Sequence, residues 1–134
     1  MKKPVIKLTP LEKTVIWTPT KKSYIQLMRI FECAGWLLHY TKGLPTEKIE
    51  NWDYYGKETC VEAGIHFDSK TKKLFGYASE SFFDDSHEII HYGDFYETQR
   101  NITQNKLKEI NAYFDWEERK ERKKMIIKKS SLII

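Results

Sequence analysis

A chain of 134 residues, 40% hydrophobic and 14% aromatic, suffices for one folded domain with its own core. The formal charge of +4 is modest, no stretch is long and apolar enough to span a bilayer, and the basic Met1-Lys2-Lys3-Pro4 start precedes no apolar run of signal-peptide length. These features exclude a membrane partner and lead us to expect a cytoplasmic protein. The charge is also uneven. Residues 61–101 carry four basic and eight acidic side chains, whereas residues 102–134 carry nine basic and five acidic ones. Such a bipolar chain could meet nucleic acid at one end and a basic protein surface at the other. Cys33 and Cys60 lack metal-ligand spacing and read as two buried, reduced thiols.

Thr14-Val15-Ile16-Trp17 is short, β-branched and aromatic, and predicts a strand. A helix follows, with Thr18 or Thr20 as N-cap and Tyr24, Leu27, Met28, Phe31 and Ala34 at amphipathic spacing. Gly35 is placed to end it in the left-handed conformation. Trp36 to Tyr40 predicts a second strand, and residues 41–58 a long loop with room for one short helical turn. Thr59 to Phe67 and Lys73 to Ala78 predict a hairpin around Asp68-Ser69-Lys70-Thr71-Lys72. Ser79 to Asp84 reads as one helical turn carrying Phe82 and Phe83, Glu88 to Tyr92 as a strand, and Gly93 to Gln99 as a short helix. Thr103 caps a long final helix with Leu107, Ile110 and Phe114 on one face. The expected fold is therefore α+β over residues 1–134. A small antiparallel or mixed sheet, in β-α-β-β-β order, packs on one helix, and a C-terminal helix projects over residues 103–129.

Aromatic residues gather around the 41–58 loop: Trp36, Trp52, Tyr54 and Tyr55. Aromatics beside a loop either anchor it or form a recognition surface. We take these four as candidate partner-binding residues. Arg119, Arg122, Lys123 and Lys124 in the charged end of the final helix join them. That run also holds Glu117, Glu118 and Glu121 at i, i+3 and i, i+4 spacings from basic residues, so self-paired solvated helix is the plainer reading. Met125-Ile126-Ile127 and Leu132-Ile133-Ile134 suggest that the tail docks on a neighbour or on a second copy. Lys21 and Lys22 stand at the start of the first helix, where positive charge opposes the dipole. A bound anion would offset that, but tolerated surface lysines explain it more simply.

His87-Glu88-Ile89-Ile90-His91 matches the H-E-x-x-H pattern. On a helix that spacing puts both imidazoles on one face to bind zinc, and the glutamate polarises the attacking water. Ile89-Ile90 favours strand, where His87 and His91 would lie roughly 13 Å apart, too far to share one ion. Glu109 is the best third ligand and resembles the downstream glutamate of phage-associated zinc metalloproteases. No phosphate loop, nucleophile elbow, CxxC or dinucleotide fingerprint is present, and no cofactor is implied. Asp68 and Asp84-Asp85 sit in turn contexts, where Asp serves the backbone.

The series Gly35-Trp36, Pro45-Thr46, Trp52, Tyr55, Thr59-Cys60-Val61, Gly76-Tyr77, Phe82-Phe83 and Glu88-Ile89-Ile90 resembles small proteins of phages and prophages of Gram-positive bacteria, over about residues 22–98. The shared motifs are structural, and the basic C-terminal helix lies outside them. The resemblance implies a non-enzymatic protein that acts by binding. Targets of such accessory proteins include host defence nucleases and ribonucleoproteins such as CRISPR effectors, replication proteins and signalling nucleotides. An anti-defence, anti-CRISPR-like inhibitor of a host protein complex is the expected function. A zinc hydrolase and a nucleic-acid-binding module acting through the C-terminal helix are the alternatives.

Overall fold

The computed structural model describes residues 1–38, 43–63, 74–83 and 87–132, with side chains as far as residue 127. Five strands form one mixed sheet: β1 (Thr14–Trp17), β2 (Leu37–Leu38), β3 (Thr59–Ala63), β4 (Leu74–Ser79) and β5 (Glu88–His91). Their order is β2-β4-β3-β1-β5. β3 runs antiparallel to both β1 and β4, while β1–β5 and β2–β4 are parallel pairs. The hairpin thus inserts between two strands joined by the first helix, making a split β-α-β unit. The fold is α+β, as its sequence pattern predicts.

Helix α1 (Lys21–Cys33) starts at Thr20, whose hydroxyl accepts from the Ser23 amide at 3.1 Å while the Ser23 hydroxyl accepts from the Thr20 amide. This reciprocal cap satisfies two donors that the first turn cannot pair internally. Thr18, the other candidate cap, is buried and donates its hydroxyl to the Thr59 carbonyl. The helix ends as Gly35 demands. At φ +77° it lets its own amide reach the Glu32 carbonyl and the Trp36 amide reach that of Phe31. The same turn drops Trp36 onto Phe31, with stacked rings 5.2 Å apart.

The core lies between α1 and one face of the sheet. Tyr24, Leu27, Met28 and Phe31 meet Ile16, Val61, Ala63 and Phe75 there. The N-terminal segment closes one side: Ile6 is buried, and the amides of Ile6 and Leu11 donate to the carbonyls of Cys33 and Ala63. Buried Gln99 pins this segment by accepting from the Thr9 amide and donating to the Thr9 carbonyl.

Helix α2 (Trp52–Tyr55) is flanked by 3-10 turns at Pro45–Asn51 and Gly56–Glu58. Over residues 45–58 the expected loop is therefore a run of helical turns, which carry little apolar periodicity. Helix α3 (Tyr92–Phe95) follows β5 directly, and α4 (Gln104–Leu132) ends the described chain. His39 and Tyr40, the hairpin loop 64–73, Asp84-Asp85 and Ile133-Ile134 lie outside the described residues, so the expectations placed on them do too.

Candidate binding surface

The aromatic candidates separate into anchors and surface residues. Trp36 is only 2% exposed and belongs to the core, so it presents nothing to a partner. Trp52 is half-buried, and its indole N–H donates to the Thr18 carbonyl at 3.0 Å. The turns after it are tied down in the same way. The Trp17 indole donates to the Lys57 carbonyl, and the buried Thr59 hydroxyl donates to the Gly56 carbonyl. At the other end, buried Glu32 accepts from both the amide and the hydroxyl of Thr46, with Lys3 Nζ 3.5 Å away. Tyr54 and Tyr55 are the two that reach solvent, at 76% and 42% exposure, with Tyr55 edge-on to Tyr77. Lys21 pairs with Asp53 at 3.1 Å, so α2 supplies the negative charge that the start of α1 lacks in its own sequence.

The final helix divides into two halves. At 1.5 Å per residue, the 13 residues of α1 span about 20 Å and the 29 residues of α4 about 43 Å, so α4 must overhang. Its first half packs. Thr103 caps it, with its hydroxyl accepting from the Lys106 amide, and Ile110 and Phe114 are buried. The packing is reinforced by Arg29 of α1, which is 13% exposed. Arg29 donates to Asn111 at 2.9 Å, pairs with Asp115 and Glu118 at 3.2 and 3.0 Å, and lies over the Phe114 ring. Asn111 in turn donates to Gln26. Only the second half therefore projects, in place of the whole 103–129 stretch.

Two of the expected helical ion pairs do not form. Glu118 turns to Arg29, and Glu117 accepts from the Tyr113 hydroxyl at 3.3 Å. Lys120 lies 4.9 Å over the Trp116 ring. Only Glu121–Lys124 pairs as spaced, at 3.6 Å. For Glu118, the Arg29 guanidinium held over the Phe114 ring outcompetes the exposed Arg122 one turn away.

From residue 118 to residue 127 every side chain is exposed. Arg119, Arg122, Lys123 and Lys124 are among them, with Met125, Ile126 and Ile127 at 56%, 63% and 69% exposure. Three successive helical residues point about 100° apart, so the apolar tip wraps well round the helix. Beside it, α1, the Pro45–Asn51 turn and α4 enclose an open groove of about 570 Å³. Ile25, Ile49 and Phe114 give this groove apolar walls, and its charged lining is mixed, with Glu117, Glu118 and Glu121 beside Arg29 and Arg122.

Among the described residues, His87, His91 and Glu109 do not converge as a metal-ligand set. His87 to His91 enters β5, not a helix. His91 uses Nδ1 to accept from the Gly93 amide, and its ring meets Trp17 edge-on. Glu109 pairs with Lys106 on α4. Among the described residues no three His, Cys, Asp or Glu side chains converge where a metal ion could sit. Burial pushes both thiols up to about 11, which makes them poor nucleophiles at neutral pH.

Sequence reasoning missed Arg29, Glu32 and Gln99, whose partners lie 14 to 90 residues away. A lone polar residue on an apolar helical face is the one signal that could have marked Arg29. No family model matches the chain, and no curated protein or solved structure is significantly similar to it.

Proposed function

We propose that this chain is a non-enzymatic binding protein that docks on a protein partner through the overhanging half of α4. The observation that supports this reading is the exposure of Met125, Ile126 and Ile127 on a helix that continues beyond the body of the domain. Such a segment gains no packing energy from its own fold, and its intrinsic helicity is marginal. Burial against a partner is what stabilises apolar residues in that position. The flanking Arg119, Arg122, Lys123 and Lys124 fit a partner surface that is apolar and acidic. The biological role we propose is inhibition of a host defence complex, the anti-CRISPR-like role that the resemblance to small phage proteins implies.

The test compares the full chain with an Ile126→Asp/Ile127→Asp variant. Both side chains are exposed, so the fold is retained. Each protein is immobilised and exposed to bacterial lysate with and without nuclease treatment. We expect a protein to be retained from the nuclease-treated lysate by the unaltered chain and lost by the variant. Retention that survives both aspartates but disappears with nuclease or added salt would replace this reading with a nucleic-acid-binding one, carried by the four basic residues.

A further inference from the structure

The two edges of the sheet are finished differently. At one edge, β2 has only two residues, and its Leu38 amide donates to the Gly43 carbonyl at 3.0 Å. At the other, β5 pairs with β1 alone, and among the described residues no strand lies beyond it. The Glu88 amide donates to the Lys13 carbonyl at 2.7 Å and therefore faces β1. Successive amides along a strand point to opposite sides. Ile90 thus also faces β1, while the amides of Ile89 and His91 face the open edge. Proline, lysine, shortness or a covering segment usually blunts such an edge. β5 has four residues with neither proline nor lysine, and Glu88, Ile89 and His91 are exposed.

We propose that the β5 edge takes an extended basic segment of a protein partner as an added strand, held by main-chain hydrogen bonds to Ile89 and His91. Side chains decide which strand fits. Ile89 and His91 are in register with Val15 and Trp17, on the face where the His91 ring meets Trp17 edge-on. The added strand sets apolar residues on that face. Glu88 points to the opposite face and meets a basic residue there. The charge keeps one sign beyond the strand. Residues 88–97 hold Glu88, Asp94 and Glu97, all exposed, and no lysine or arginine. Among the described residues none of these acids is in an ion pair. Pairing β5 with β5 of a second copy sets two such acidic segments side by side, which like charge disfavours. A strand that alternates apolar and basic residues satisfies both faces. This edge is a second surface, independent of the docking role of α4.

The probe is a short, end-blocked peptide of alternating lysine and valine. It is added to the full chain at neutral pH, and amide hydrogen exchange is read residue by residue. In the free chain we expect the Ile89 and His91 amides to be less protected than that of Ile90. We expect the peptide to slow their exchange by more than about tenfold as strand hydrogen bonds form. A fully N-methylated counterpart keeps the side chains but cannot donate, and a peptide of alternating glutamate and valine reverses the charge. Neither should slow these amides. Glu88→Lys/Asp94→Lys/Glu97→Lys, all at exposed positions, should swap the preference, so that the glutamate peptide protects and the lysine peptide does not. Far-UV circular dichroism checks that this variant folds, and the peptide comparisons need only the unaltered chain. Ile89 and His91 as protected as Ile90 in the free chain, no slowing by the lysine peptide, or equal slowing by its N-methylated counterpart would overturn the proposal. So would a folded variant that keeps the original preference. Slowing that needs no peptide and grows with protein concentration would assign the edge to a second copy and overturn it as well.

Discussion

Trp36 and Tyr54 are eighteen positions apart in one aromatic-rich stretch, yet they face opposite fates. Trp36 stacks on Phe31 inside the core, while Tyr54 is almost fully in water. We expect Trp36→Ala to cost about 3–5 kcal/mol in urea denaturation, the range for a buried large aromatic. Tyr54→Ala should change stability by less than about 0.5 kcal/mol. The buried cysteines give a second expectation. Burial raises both thiols from about 9 to about 11, whereas in the unfolded chain they titrate near 9. The folded state therefore holds its thiol protons where the unfolded state releases them. That contribution is intact below pH 9 and is lost as pH rises from about 9 to about 11. Denaturation midpoints at pH 8 and pH 10.5 should show the drop, and a Cys33→Ala/Cys60→Ala variant should show less of it.

At the scale of elements, the contact between α1 and α4 decides how much of the final helix is held. Its apolar part is Ile110 and Phe114, and its polar part is the Arg29 hub. Removing one partner of a buried charge pair is severe, but Asp115 and Glu118 are 54% and 59% exposed and stay hydrated without Arg29. We therefore expect Arg29→Met, which keeps the apolar stem, to cost only about 1–2 kcal/mol in urea unfolding. We also expect that cost to shrink at high salt. The sheet and the 52–58 turns are coupled through backbone carbonyls: Trp52 donates to Thr18, and the Thr59 hydroxyl bonds Trp52 and Gly56. The turn that flanks the groove is tied separately, by Thr46 to Glu32 of α1.

For the whole molecule, the body and the overhang are separable in energy. The overhang contributes no buried side chain from residue 118 to residue 127. We expect removal of residues 119–134 to leave the near-UV circular dichroism of the core aromatics unchanged. The far-UV helical signal should fall by the share of α4 that is lost. A collapse of the near-UV signal would mean that the tail supports the core, against the division of α4 described above. The same division lets one chain combine a fixed groove with a protruding tip.

Local chemistry by itself determined β1, α1 with its cap and its Gly35 stop, the β3–β4 hairpin, β5 and the Thr103 start of α4. Each depends on residues within a few positions of one another: a threonine and a serine three apart, a glycine at positive φ, β-branched runs. The β-branched Ile89-Ile90 pair likewise favours a strand over a zinc-binding helix on local preference alone. Tertiary structure alone decided the order β2-β4-β3-β1-β5, because strand neighbours are chosen by burial across the sheet and not by adjacency in sequence. It alone turned the 45–58 loop into anchored helical turns, since most of the residues that bond them, Trp17, Thr18 and Glu32, lie far away in the sequence. It also drew Glu118 from its helical neighbours to Arg29, a residue 89 positions earlier. The groove lies where Ile110, Phe114 and the Arg29 contacts hold α4 beside α1. No local pattern encodes it, for its walls come from three segments that meet only in the folded chain.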